Sequence, residues 1–458
     1  MHIHLLGIAG SMTANLAVYL KKIGNTVTGS DQDKIFPPVS TLLKKNKISV
    51  NSTEINSNID LAIIGSSYNS FNQTKKEFDQ IKEQKIPYIS ATEYLSQNLI
   101  KKNSIVIAGS FGKTIITSLV SWIFSQAGKK PSYMFGGVAK NKFVSLKFTN
   151  SNWSVIEGDE SIHGLDQKAK FLYYRPKYLL VTSADWEHKD CYPTPQQNFD
   201  AFKQLVEQLP PEGILIINNQ SQTSTKLIEY SPCQTITYGD LSSDYFIEKI
   251  QNKINSTLLI IHTPNGLIKV TTSLIGQFNY QNILAAVALS DSLKISHYLI
   301  SKAIASYKGV KRRLELVAIR QQRFFFDDFA QSGPRIVSAL SALKDHFPHQ
   351  KIKVLFQPHA SFSQYKSSLC ELKNAFDLAD EIVLTQLKFS QNIDKKNRNT
   401  AKDFRDCLGD KLIYLPLKKE IIKYYKDNLM PNNILIYMSS GGFEGNRIFK
   451  SIINSFKK

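Results

Sequence analysis

The chain has 458 residues, and 57 lysines and arginines against 38 aspartates and glutamates give a formal charge of +19. That length allows about three domains of roughly 150 residues, and 42 % apolar with 11 % aromatic residues excludes a disordered or fibrous chain. No apolar run reaches the roughly 18–20 residues of a membrane span, so no span is expected. Met1 leads straight into the strand-like His2 to Leu6, without the features of a signal peptide.

Strand-type runs alternate with amphipathic, helix-length stretches from end to end, which predicts α/β layers with mostly parallel sheets. The first block opens with a strand at Ile3 to Leu6, turns at Gly7 to Gly10, and enters a helix from Thr13 to Ile23. Further strands follow at Thr26 to Thr28, Leu61 to Ile64 and Tyr88-Ile89, and the block closes near Leu99. Gly7-Ile8-Ala9-Gly10-Ser11, with Asp31 after the second strand, carries part of a dinucleotide fingerprint, but Met12 and Thr13 stand where a third glycine belongs. A sugar-nucleotide diphosphate needs only the short turn and the helix N-terminus and suits these residues better. A plain turn that requires small residues stays open.

The second block starts with a strand at Ser104 to Ala108, a glycine turn, and a helix from Ile115 to Gln126. Gly109-Ser110-Phe111-Gly112-Lys113-Thr114 lies between them, where backbone N–H groups and the helix N-terminus cradle phosphates. Lys113 reaches the terminal phosphates in such a loop, and the Thr114 hydroxyl takes a magnesium position. Ile107 stands where the longer Walker pattern has glycine, so this is a shortened variant. Glu157-Gly158-Asp159-Glu160 follows a strand at Ser154 to Ile156, and His188 follows one at Tyr178 to Thr182. Both ends face the crevice where hard-cation ligands gather, although an acidic loop also suits solvent. The block continues through a strand at Gly213 to Asn218, a β-like stretch from Thr235 to Thr272, and a helix from Asn279 to Leu293.

Lys311-Arg312-Arg313 precedes a third block with strands at Phe324 to Phe326, Ile352 to Phe356, Glu381 to Leu384, Leu412 to Tyr414 and Asn433 to Met438. Ser439 to Gly445 either approaches a ligand or turns the chain. Cys191, Cys233, Cys370 and Cys407 show no metal-ligand spacing, which argues against zinc or a disulfide framework and for a reducing cytoplasm. The lysine excess is scattered, as in Lys44-Lys45-Asn46-Lys47, and reads as solvated surface, so no nucleic-acid partner is expected.

Taken together, GSFGKT (109–114), EGDE (157–160), WEHKDCYPT (186–194), GQFNYQN (276–282), GVKRRLE (309–315) and DDFA (327–330) resemble the ATP-dependent Mur ligases that build peptidoglycan precursors. They keep the family's order and spacing across the whole chain. GIAGSM (7–12) and the segment 29–43 are similar to members acting on UDP-N-acetylmuramate itself, which attach either L-alanine or the tripeptide L-alanyl-gamma-D-glutamyl-meso-diaminopimelate. Segments 36–41, 170–176 and 438–443 look closer to the tripeptide-recycling group, and Phe356-Gln357-Pro358-His359 closer to the L-alanine group.

The resemblance implies an α/β, three-domain Mur ligase architecture. An N-terminal Rossmann-like domain (1–99) would bind the UDP-sugar, a central P-loop ATPase domain (100–308) would bind ATP, and a C-terminal Rossmann-like domain (309–458) would take an amino acid or peptide. It implies an amide ligase working through an acyl phosphate, with Lys113, Glu157 and His188 catalytic and Thr114, Glu157 and His188 holding Mg2+. Gly109, Ser110, Gly112, Lys113, Thr114, Asn279, Asn282, Arg312, Arg313 and Asp327 would hold ATP, and Gly10, Ser11, Asp31 and His359 the other substrates. A cytoplasmic monomer or homodimer is expected.

Five departures stand out, because the family often has histidine where this chain has Phe278, threonine at Ile115, two histidines at Gln331 and Ser332, and arginine at Ala360. Those at Phe278 and Ile115 bear on nucleotide contacts, while Gln331, Ser332 and Ala360 leave open a ligase with a different acceptor, or a protein that binds nucleotide and UDP-sugar without forming an amide. A ligase acting on a folate or an amino-acid polymer is disfavoured by the N-terminal turn.

Overall fold

The computed structural model describes residues 1–32, 35, 39–51, 54–141, 143–186, 191–253, 256–358, 366–387, 398–439 and 443–456. Three sheets carry the chain, each covered by helices, as the alternating pattern requires. The first holds five parallel strands in the order 49–50, 26–30, 2–6, 61–64, 88–90. His2–Leu6 lies in the middle, paired on one side with Thr26–Ser30 and on the other with Leu61–Ile64. The strand order therefore reverses at its carboxyl end, where ligands bind in open α/β sheets.

The second sheet has ten strands, and Asn103–Ala108 again lies at the reversal, between Trp153–Glu157 and Tyr178–Val181. Ile105, Val106, Ile107 and Ala108 are all fully buried, which explains why this strand reads as one continuous apolar run rather than an alternating one. The β-like stretch of the sequence resolves into four strands, Gln234–Gly239, Tyr245–Lys253, Ser256–Thr263 and Gly266–Thr272, at one edge. The helix Pro195–Glu207 starts where its sequence dictates: Thr194 and Gln197 form a reciprocal capping box, with proline at the first turn.

The third sheet orders its strands 315–320, 323–328, 434–439, 352–357, 381–384, 412–414, and only the first is antiparallel. Alternate residues feed two cores: Phe326, Val354 and Ile436 point to one face, Phe325, Leu355 and Leu435 to the other.

The chain divides into two compact units. One comprises residues 1–251, 258–273 and 281–308, with the first sheet and most of the second; the other comprises 252–257, 274–280 and 309–458, with the third sheet. Among the described residues no helix is long and apolar enough to cross a membrane.

Candidate active site

The turn between Asn103–Ala108 and the helix Lys113–Gln126 is built on two glycines with left-handed backbone, Gly109 at φ 123° and Gly112 at φ 81°. A Cβ on Gly109 would fall inside 3.0 Å of Thr182 Oγ1 and Ser183 N, and one on Gly112 inside 3.0 Å of Asn282 Oδ1. Both positions therefore demand glycine. Side chains brace the turn: Ser110 Oγ donates to the Asp185 carbonyl at 2.7 Å, and Thr182 Oγ1 donates to the Phe111 carbonyl at 2.7 Å. The helix that follows has no side-chain cap and no acidic residue in its first turn, so its N-terminal amides and partial positive charge face the turn.

Lys113 Nζ donates to the Gly109 carbonyl at 2.5 Å and to Glu160 Oε1 at 2.8 Å. Beside it, Thr114 Oγ1 donates to Glu157 Oε1 at 2.8 Å, while the Gly136 amide donates to Glu157 Oε2 at 2.5 Å. The three acids of the loop thus differ. Glu160 pairs with Lys113, and Asp159 Oδ2 pairs with Lys170 Nζ at 2.9 Å, but both hydrogen-bond partners of Glu157 are neutral. Burial pushes the Glu157 carboxyl up, and these bonds and the nearby Lys113 only partly offset it. Burial acts likewise on Asp159, but Lys170 and Ser161 outweigh it and hold that carboxyl low. Glu157 is consequently the acid whose charge still calls for a cation, and its oxygen beside the Thr114 hydroxyl is a hard-ligand pair of the type Mg2+ takes. Among the described residues no three His, Cys, Asp or Glu side chains converge as a metal cluster. His188, expected to complete the set, lies outside the described residues, and so do His359 and Ala360.

The N-terminal turn has its own brace. Gly7 is left-handed at φ 71°, and Thr13 Oγ1 donates to the Gly7 and Gly10 carbonyls at 2.8 and 3.0 Å. Ser11 is the first residue of the helix Ser11–Lys22, and Gly10 precedes it without a side-chain cap. Asp31, 2 % exposed, spends its carboxylate on the backbone: Oδ2 accepts from the Ala9 amide at 2.7 Å and Oδ1 from the Gln32 amide at 2.8 Å. In this way it holds the turn's shape.

Of the remaining expected residues, Asn279, Arg312, Arg313 and Asp327 lie in the second unit and Asn282 in the first. Arg312 Nε donates to Asp327 Oδ1 at 3.3 Å, and its guanidinium also donates to the Ser439 carbonyl. Arg312 and Arg313 both lie over the Phe329 ring, at 5.2 and 5.7 Å. Burial raises the Asp327 carboxyl to about 6, with Arg312 opposing. Gln331 Nε2 donates to the Ala330 carbonyl at 2.9 Å, and Ser332 precedes the helix Gly333–His346 without capping it. Phe278 packs against the second unit's core. Asn279 and Asn282 lie one turn apart on the helix Gln277–Ser292; Asn279 Nδ2 donates to the Ile275 carbonyl at 2.8 Å, and Asn282 abuts Gly112.

Comparison with known families assigns both sheets of the first unit. Residues 2–102 match the model described as "Mur ligase family, catalytic domain", and residues 107–290 match "Mur ligase middle domain". The chain belongs to the Mur ligase family. This Mur ligase is 24 % identical to the UDP-N-acetylmuramate--L-alanyl-gamma-D-glutamyl-meso-2,6-diaminoheptandioate ligase of Haemophilus influenzae, over 100 % of this chain and 99 % of that protein. It is 27 % identical to the UDP-N-acetylmuramate--L-alanine ligase of Pelagibacter ubique, over 96 % and 95 %. Among solved structures, the UDP-N-acetylmuramate-alanine ligase of Thermotoga maritima shares its fold with a TM-score of 0.80 at 21 % identity, over 99 % of this chain and 98 % of that one. A murein peptide ligase of Psychrobacter arcticus gives 0.68 at 23 %, with the same coverage.

Several residues of this Mur ligase have structural roles that motifs do not reveal. Lys170 and Tyr192 hold the acidic loop, the latter by donating to the Glu160 carbonyl at 2.5 Å. His163, fully buried and with its pKa lowered by that burial, sets its Nε2 3.3 Å from the Ile64 carbonyl, joining the segment after the acidic loop to the first sheet. Lys170 and Tyr192 fall within the stretches 170–176 and 186–194, but no local signal marks these pairings, whose partners lie 11, 32 and 99 residues away.

Proposed function

We propose that this Mur ligase joins the lactyl carboxylate of UDP-N-acetylmuramate to the amino group of an amino acid or short peptide, consuming ATP and releasing ADP and phosphate. The observation that carries the reading is the P-loop in which Lys113 and the Thr114–Glu157 pair stand side by side, in a chain that aligns end to end with two ligases named for that sugar nucleotide. In this reading residues 1–99 bind the UDP-sugar, 100–308 bind ATP and 309–458 receive the amine.

The carboxylate attacks the γ-phosphorus, giving an acyl phosphate and ADP; the amine then attacks the carbonyl carbon, loses a proton, and phosphate leaves. Negative charge gathers on phosphoryl oxygens, and the Lys113 ammonium, the turn amides from Gly109 to Gly112 and the helix N-terminus are fixed in place to receive it. Glu157 and Thr114 would hold Mg2+, with His188, and the ion would neutralise phosphate charge. Asn279 and Asn282 would meet the adenine and Arg312, Arg313 and Asp327 the nucleotide, with Gly10 and Ser11 at the UDP diphosphate and His359 at the acceptor. Among the described residues Cys191, Cys233, Cys370 and Cys407 form no disulfide, which accords with a cytoplasmic setting.

The test supplies ATP, Mg2+ and UDP-N-acetylmuramate with a panel of amino acids and the tripeptide. Amine-dependent phosphate release with one of them is expected; none, from folded protein, rejects the proposal. A second reading, binding without amide formation, draws on Gln331 and Ser332 and would show ATP affinity with no new amide by mass spectrometry.

A further inference from the structure

Lys113 is the side chain on which two anions converge. An ammonium has three donors, and here one goes to the Gly109 carbonyl at 2.5 Å while Glu160 takes another, with both carboxylate oxygens 2.8 Å from Nζ. Glu160 is 2 % exposed and has no easy route to solvent. Its backbone carbonyl accepts from Tyr192 Oη, itself 5 % exposed, and the preceding Asp159 is pinned by Lys170. Gly158 sits so close to the strand Asn103–Ala108 that an added Cβ would come within 2.9 Å of Val106 Cγ1, so the loop cannot shift inward either. A fixed carboxylate and the terminal phosphates of a nucleotide therefore require the same ammonium.

Resting on the reading that ATP occupies this P-loop, we propose that Glu160 is a positioning residue that competes with the phosphates for Lys113. It aims the ammonium across the turn, and it lowers nucleotide affinity because phosphates must displace or share the carboxylate. Nucleotide binding is then an exchange of one anion for another on a single lysine, and catalysis benefits because binding is weakened while the lysine stays aligned.

The sign of the effect separates this role from plain structural support. Calorimetry on the full chain should show that Glu160→Gln, which keeps the side chain's shape, tightens ATP about tenfold, the size expected for freeing a charge-assisted hydrogen bond. The gain should be smaller for ADP, absent for adenosine, and absent in a Lys113→Met background. The same variant should lower kcat, splitting kcat from KM. Glu160→Asp keeps the charge but withdraws it by one methylene, and should shift affinity in the same direction by a smaller factor, which serves if the glutamine variant does not fold. ATP affinity unchanged or weakened in the folded variants overturns the competition while leaving the ATP reading intact. Wild-type protein that binds no ATP overturns both.

Discussion

Replacing Asp31 with asparagine separates a structural brace from a ligand contact. In the wild-type chain the two carboxylate oxygens accept from the Ala9 and Gln32 amides at 2.7 and 2.8 Å, in a site 2 % exposed. Asparagine turns one acceptor into a donor that faces an N–H, and strips the charge from the other bond. A hydrogen bond to a charged group contributes about 1.5–3 kcal/mol, and a buried amide left without an acceptor costs about 1–3 kcal/mol. Some of the loss is recovered by relaxation of the turn, so Asp31→Asn should cost about 3 kcal/mol. For a unit of a few hundred residues that lowers the melting temperature by roughly 6–12 °C. Calorimetric unfolding of the full chain measures it, and hydrogen exchange localises it: the Ala9 and Gln32 amides should lose protection first. An unchanged melting temperature combined with weakened UDP-sugar binding would refute the brace and return Asp31 to the ligand.

Further outcomes follow from the same geometry. Lys113→Ala should reduce the rate at least about 100-fold by removing charge stabilisation at the transferring phosphoryl group, and near-normal turnover would reject the P-loop assignment. Gly109→Ala should abolish nucleotide binding in calorimetry, because φ 123° and the closeness of Thr182 and Ser183 leave no room for a methyl group. Asp327, raised from 3.8 to about 6, favours its protonated form in the folded unit. The stability it adds is fully present below pH about 4 and is lost as pH rises through about 6, up to about 3 kcal/mol. Asp327→Asn should flatten that part of the stability profile in urea titrations at stepped pH; an unaltered slope would contradict it.

The sheets were legible because their strands are buried on both sides. Leu61–Ile64 and Glu381–Leu384 stand where their apolar runs place them, and the P-loop announces itself through glycines whose left-handed backbone nothing else tolerates. The edge strand Glu315–Arg320 was not legible, since it is largely exposed and follows a basic run. The helix Ser11–Lys22 begins two residues before its apolar pattern does, directly after Gly10. Within the site, sequence brought together Lys113, Thr114 and Glu157 by motif. It could not show that Lys113 pairs with Glu160 and Lys170 with Asp159, since those pairings span 47 and 11 residues and depend on the folded loop.

The most direct test of the proposed chemistry follows an oxygen atom. UDP-N-acetylmuramate labelled with 18O in its lactyl carboxylate is incubated with the protein, ATP, Mg2+ and the accepted amine, and the released phosphate is analysed by mass spectrometry. An acyl phosphate intermediate predicts transfer of a single labelled oxygen to phosphate with each amide formed. Phosphate that carries no label, while the amide accumulates, would contradict the account.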